Sequence, residues 1–272
     1  MVWKVMRDEN LKPYYHATNW IHLPAALFAS RQYHASVTPD SEVRISGVLE
    51  YHGELFRAIE KSQSIEEASR IFQDYMQVLF NLDEKVRGKS VASYLRLLRG
   101  WLFDANSAEG AVLKGWVESR FGLVPFYHRK VIRNIHTKAY QEYMYQRMHP
   151  RINRNMIYYQ LDLLYTYTQH IIRRFHPEFL PHVTLHRGVN DVHDHLVVEE
   201  YSKRHSCIEH NNLVSFSLDK SIAQQFGDFI MDVEVPFTKI LFFSGIIHRQ
   251  GFAGEMEFLV IGGRYDTRIS YF

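Results

Sequence analysis

The chain is predicted to be an α+β protein, with a helical N-terminal part packed on a C-terminal β-sandwich core. Two observations predict this. Up to about residue 176 apolar side chains recur at helical spacing behind recognisable N-cap residues, and after Pro181 the texture changes to short alternating runs. Those runs follow one another at about ten-residue intervals, the pattern of a compact sheet or sandwich. We divide the chain into residues 1–176, mainly helical, and 177–272, strand-rich, the two packed as one compact unit.

In chain order, residues 10 to 34 hold Asn19, Trp20 and Pro24, then an apolar run from Ala25 to Ala29 that reads as a loop entering a short helix. Helical spacing next extends from Val43 to Ile59. Ser64, three residues before Glu67, has the form of a capping box, and Ile65, Ala68, Ile71, Phe72, Tyr75, Met76 and Leu79 make the buried stripe behind it. Ser90 is expected to cap a helix bearing Tyr94, Leu97, Leu98 and Trp101. Ser107 opens its partner, which carries Val112, Trp116 and Val117 and stops at Gly122 before Pro125. Together they read as a helical hairpin with two Trp in its core. From Arg129 to Arg154 there are seven basic residues (Arg129, Lys130, Arg133, Lys138, Arg147, Arg151, Arg154) against one acid, Glu142. The ordinary reading is a solvated helix face; the alternative is a docking surface for an acidic partner. Asn153 is expected to cap a long helix with Ile157, Leu161, Leu164 and Ile171 inward, closed by Pro177.

Beyond Pro181, Val183, Leu185 and Arg187 share one face of a strand ending at Gly188, and a short helix is expected around Leu196 to Tyr201. Strands follow at Leu213 to Ser217, Phe229 to Val235 and Ile240 to Phe243, and a last one from Glu255 to Ile261. In that last strand Glu255 and Glu257 point the same way, with Cα atoms about 6.5 to 7 Å apart.

Composition excludes several classes. The 272 residues are 46% hydrophobic and 23% charged, an ordinary folded chain, and a net charge of +2 argues against coating nucleic acid or an anionic membrane. The single cysteine, Cys207, excludes an intramolecular disulfide and fits a reducing, cytoplasmic setting. No run of 18 apolar residues exists, so no membrane span is expected. There is no Gly-x-Gly-x-x-Gly after a strand, no Walker-type loop and no His-Glu-x-x-His. His193-Asp194-His195 has the wrong spacing for two metal ligands on one helix face, and no metal is expected in the site. Cys207 between His205 and His210 is weak grounds for a nucleophile.

Three strand-borne features remain: Arg187 before Gly188; Ser215-Phe216-Ser217 followed by Ala223 and Phe226; and Glu255 with Glu257. Separately each has a commonplace reading, as a surface charge at a turn, a helix N-cap with packing residues, and a solvated strand start. In this order on successive strands they resemble the Arg-Ser-Glu set of the mono-ADP-ribosyltransferases. Phe216 stands where that set often has Thr, and the lead serine is intact. The segment from Ser93 to Pro125, Thr18-Asn19 through Pro24, and His186-Arg187-Gly188-Val189-Asn190 are similar to the dinitrogenase reductase ADP-ribosyltransferase family.

The resemblance implies a catalytic core of the ADP-ribosyltransferase type at 177–272, with 1–176 serving support and partner docking. It implies NAD as co-substrate, an arginine of the nitrogenase iron protein as acceptor, and control by PII-type nitrogen-signalling proteins. It also implies roles. Glu257 is expected at the ribose hydroxyl and oxocarbenium, Ser215 holding Glu257 and the nicotinamide ribose, and Arg187 on the pyrophosphate. Gly188 and Ser217 complete the cofactor-binding set. Glu255 is expected to orient the acceptor guanidinium and take its proton, and Phe252, in a Gly245 to Gly254 loop resembling the acceptor-recognition turn, either contacts the acceptor or pins the loop to the core. The competing readings are transfer to another protein, NAD hydrolysis without an acceptor, and a silent regulatory module.

Overall fold

The computed structural model describes residues 12–83, 85–86, 89–90, 92–192, 195–248 and 257–271. Two short helices, α1 (Ala25–Phe28) and α2 (Arg31–Ser36), precede α3 (Val48–Lys61) and α4 (Ile65–Phe80). The expected helix from Val43 begins five residues later, because Gly47 takes a left-handed φ of 88° and turns the chain into α3. The Ser64 cap forms: its hydroxyl accepts from the Glu67 N–H, while the Glu67 carboxylate accepts from the Gln63 N–H, one residue before the cap.

After a two-strand ribbon, β1 (Lys85–Val86) and β2 (Lys89–Ser90), come α5 (Tyr94–Phe103) and α6 (Ala108–Phe121). Ser93, not Ser90, caps α5, its hydroxyl accepting from the Arg96 N–H; Ser90 belongs to the ribbon. Helix α6 is buried on every side, from Val112 and Leu113 to Trp116 and Phe121, and forms the axis of the helical part. Gly100 lets α5 approach α6, since a Cβ there would lie 2.5 Å from the Glu109 side chain.

A ribbon of β3 (Tyr127–His128) and β4 (Lys130–Val131) leads to α7 (Lys138–Arg147) and α8 (Ile157–Phe175). Asn153 does not cap α8. Asn155 and Met156 both adopt left-handed φ, with the Asn155 side chain donating to the Phe80 carbonyl, so the helix starts only at Ile157. The basic segment is also less uniform than a solvated face. Arg147 donates to the buried Glu118 at 2.6 Å, Lys130 pairs with Glu142, and Arg129 donates to the Asn106 carbonyl.

The strands are β5 (His182–Val189), β6 (Leu196–Ser202), β7 (His205–Ser217), β8 (Phe229–Pro236), β9 (Ile240–Phe243) and β10 (Glu257–Tyr271). The expected helix at Leu196 to Tyr201 is thus strand β6. It is an edge strand exposed on both faces from Val198 to Ser202, Glu199 and Glu200 included, so no alternation of apolar and polar residues marks it as a strand. Strand β7 begins eight residues before the expected Leu213. The six strands form one antiparallel sheet in the order β6-β7-β5-β8-β10-β9, with β7 also paired to β10. Strands β7, β5, β8 and β10 therefore pair in a ring, and the sheet closes on itself. Helix α8 covers the edge strand β9 with side-chain hydrogen bonds, from Thr168 to the Leu241 carbonyl and from Gln169 to the Ile240 carbonyl, both 2.8 Å. One apolar cluster joins the halves, including Phe72, Trp116 and Leu161 from helices and Leu185, Val233 and Phe258 from strands.

Candidate active site

The ring of strands sets the site. Opposite His186 on β5 lies Ser217 on β7, and opposite Ser217 on the other side of β7 lies Glu257, the first residue of β10. Since Ser215 pairs with Leu259, Ser215 and Glu257 are diagonal neighbours two positions apart, within side-chain reach across antiparallel strands. The Ser215 hydroxyl donates to Glu257 Oε1 at 2.5 Å. Arg187 Nη1 donates to the Ser215 carbonyl at 2.8 Å. Arg187, Gly188, Ser215, Ser217 and Glu257 all line one cleft of about 580 Å³, a volume in the range of small-molecule and cofactor pockets.

Each neighbour has a physical task. The backbone of Glu257 is clamped by Ser244, whose N–H donates to the Glu257 carbonyl at 2.9 Å and whose hydroxyl accepts from the Glu257 N–H. Ser217 opens the turn into α9 (Lys220–Ala223), its hydroxyl accepting from the Asp219 N–H, and Asp219 caps that helix. Gly188 is required by α9 itself: a Cβ there would stand 1.9 Å from the Ala223 carbonyl oxygen. The missing side chain therefore admits the chain's own backbone, and the turn after α9 carries Phe226 to the cleft with 66% of its surface exposed.

The floor of the cleft is rich in nitrogen, with His210 buried and Arg187 and His195 half-buried. Burial pushes the Arg187 pKa down, Glu257 pulls it back up, and its Nε has no hydrogen-bond partner among the described residues. A guanidinium remains charged even so. Burial, then the Arg187 charge, pushes the His195 pKa down to about 4. Burial, then His195 and Arg187, holds His210 well below the usual histidine range. Both rings are neutral at pH 7, and His195 Nδ1 and His210 Nε2 are also unpartnered among the described residues. This floor suits a ligand that brings oxygens, and the cation at Arg187 favours an anionic one.

From the helical side, Trp101 and Lys114 enter the same cleft. Lys114 Nζ donates to Asn106 Oδ1 and to the Tyr127 carbonyl, both at 3.2 Å, and burial pushes its pKa down to about 7 against the pull of Asp104. Leu102 and Phe103 stand at the rim, Phe103 94% exposed.

Of the sequence-derived set, Arg187, Gly188, Ser215, Ser217 and Glu257 are brought together. Glu255, Phe252 and residues 249–254 of the loop from Gly245 lie outside the described residues, as do His193 and Asp194. Sequence reasoning missed Trp101, Ser244, His195 and His210 as members of the site. Trp101 was legible only as a core position of a helical stripe. Among the described residues no group of three or more His, Cys, Asp or Glu could hold a metal ion. Cys207 is buried and its thiol is pushed up to about 11, first by burial, which makes it a poor nucleophile.

Comparison with known proteins adds to the geometry. The model of the dinitrogenase reductase ADP-ribosyltransferase family matches residues 18–269. The chain is 41% identical over 266 residues to the NAD(+)--dinitrogen-reductase ADP-D-ribosyltransferase of Rhodospirillum rubrum, covering 94% of this chain and 95% of that protein. No solved structure matches.

Proposed function

The chain belongs to the dinitrogenase reductase ADP-ribosyltransferase family, and on that premise we propose that it transfers ADP-ribose from NAD to an arginine of dinitrogenase reductase, the nitrogenase iron protein, so switching off nitrogen fixation. The observation that carries the reading is the convergence of Arg187, Ser215 and Glu257 on one cleft, with the serine hydroxyl donated to the carboxylate at 2.5 Å.

The reaction breaks the bond between the nicotinamide nitrogen and the ribose anomeric carbon. The bonding electron pair leaves with nicotinamide, which becomes neutral, and positive charge builds on the ribose. Glu257 stabilises that charge where it develops, and a fixed carboxylate needs no reorganisation to do so. Ser215 holds the carboxylate, and Arg187 takes the pyrophosphate, with its unpartnered Nε as a donor still available. The exposed ring of Phe226 at the cleft offers an aromatic face to nicotinamide. An acceptor guanidinium nitrogen then bonds to the anomeric carbon and gives up one proton, for which we assign Glu255 as base, and we assign Phe252 to acceptor contact.

NAD is a substrate here, and we assign no metal to the step. Control by a PII-type protein and a cytoplasmic location complete the reading. Within the basic segment, the exposed Lys138, Arg151 and Arg154 are the groups we assign to an acidic regulator. No helix among the described residues is long and apolar enough to cross a membrane.

The test is incubation of the purified protein with labelled NAD and dinitrogenase reductase, followed by peptide mass spectrometry. Label on an arginine of the iron protein, lost with Glu257→Gln, is the expected result. Nicotinamide release with no labelled protein would replace the proposal with NAD hydrolysis, and label on another residue type would overturn the arginine assignment.

A further inference from the structure

The strand-borne set leaves one question open, namely what fixes the direction of the Ser215 hydrogen. A serine hydroxyl has one hydrogen and can turn it toward any acceptor within reach. In this protein the indole Nε1–H of Trp101 donates to Ser215 Oγ at 2.8 Å, and Ser215 Oγ donates to Glu257 Oε1 at 2.5 Å. An indole nitrogen is a donor only. It therefore occupies a lone pair of the hydroxyl, and the one hydrogen is left pointing to the carboxylate. A Tyr, His or Asn at the same place would permit the opposite polarity; Trp does not.

The indole is itself held. Trp101 is 3% exposed, and Lys114 Nζ lies 5.7 Å from the centroid of its ring. Lys114 is anchored to Asn106 and the Tyr127 carbonyl, with His128 Nδ1 at 3.4 Å, so the ring leans on groups fixed by α6, the loop before it and β3.

We propose that Trp101 is a positioning residue for transfer: through Ser215 it fixes the orientation of the Glu257 carboxylate, so the helical half supplies part of the machinery borne on the strands. The inference rests on the reading of this cleft as the transfer site. It differs from the bland account, in which a buried indole merely finds a partner for its N–H, because it requires effects to travel through Ser215 to the reacting carboxylate.

Two measurements test it. In steady-state kinetics, Trp101→Phe keeps the ring and loses the N–H; the expected outcome is a roughly 10-fold lower kcat for both nicotinamide release and transfer, with KM for NAD unchanged. Adding Trp101→Phe to Ser215→Ala should cause no further loss, since the relay is already cut. Independently of turnover, the indole 15N–H resonance of Trp101, assigned by its disappearance in Trp101→Phe, should shift in Ser215→Ala and in Glu257→Gln while the other indole signals stay in place. Wild-type kcat in Trp101→Phe, multiplying losses in the double variant, or an indole resonance unmoved in Glu257→Gln would each overturn the inference; Ser215→Ala, which removes the indole's direct partner, serves as the positive control for the shift. A wild-type protein that consumes no NAD would sink the proposed function instead, and the resonance would still decide the relay.

Discussion

Arg187 and Glu257 are joined through the two oxygens of Ser215: the guanidinium donates to its carbonyl and the hydroxyl donates to the carboxylate. Opposite charges are thereby held in register by half-buried side chains of one cleft. Glu257→Gln is expected to keep the fold and to lower nicotinamide release and transfer together, by about 10²-fold or more for a principal electrostatic stabiliser. Ser215→Ala, which leaves the carboxylate but frees its orientation, should cost less. Initial rates of nicotinamide release on folded variants check both.

Arg187→Lys retains a charge and loses the planar fork. It also loses the donor to the Ser215 carbonyl, and an ammonium is harder to bury than a guanidinium. We expect NAD binding weaker by about 10-fold or more, the cost of a charge-assisted hydrogen bond. Calorimetric titration with NAD measures it, and an unchanged Kd would remove Arg187 from the pyrophosphate.

Gly188→Ala places a methyl 1.9 Å from the Ala223 carbonyl, with Gly227 N at 3.2 Å. Backbone cannot yield as a side-chain tip can, so α9 must shift. Overpacking of this kind costs about 1–3 kcal/mol. Thermal unfolding should show the loss, and NAD binding should weaken because Phe226 moves with α9.

Acid should destabilise the protein before its carboxylates titrate. Burial first, with nearby positive groups, depresses the pKa of His34, His128, His195 and His210, to about 4 for His128 and His195. In the unfolded chain each takes a proton near pH 6.5. Between about 6.5 and 4 the unfolded state thus binds more protons, and stability falls as pH falls, by up to about 1.4 kcal/mol per pH unit for each histidine. Denaturant midpoints at pH 7.5, 6 and 5 should decline in that order.

Lys239 is fully buried, with its ammonium 3.9 Å from the Phe28 ring centroid and donating to the Gly262 carbonyl at 2.8 Å. Burial holds its pKa well below the usual lysine range, against a smaller pull from Glu209. Protonation of this lysine therefore opposes folding, and the cost fades as pH rises toward about 10.4, where the unfolded lysine also neutralises. Relative to wild type, Lys239→Met is expected to gain most at pH 7 and least at pH 10. Parallel denaturation curves at the two pH values would show it.

Much of the fold was legible because the signals were local. The Ser64 and Ser107 caps, the Gly122 stop and strands β5, β8 and β9 all rest on chemistry within a few residues. The misplaced starts of α3, α5 and α8 share one cause, left-handed or ribbon backbone before the helix, which apolar spacing does not record. At the site, Arg187, Ser215 and Glu257 could be picked out by order along the chain. Trp101 could not, because it lies 114 positions from Ser215 and its stripe is equally good packing.

Strand β10 is central in the sheet yet follows all of its partners in the chain, pairing with β7, β8 and β9. Glu257 is its first residue. During synthesis the ring of strands cannot close until Thr267–Tyr271, the stretch that pairs with β8, leaves the ribosome, and Glu257 emerges ahead of it on the same strand. A nascent chain stalled before Glu257 would therefore hold no Ser215–Glu257 pair, and on the proposed function it would spend no NAD.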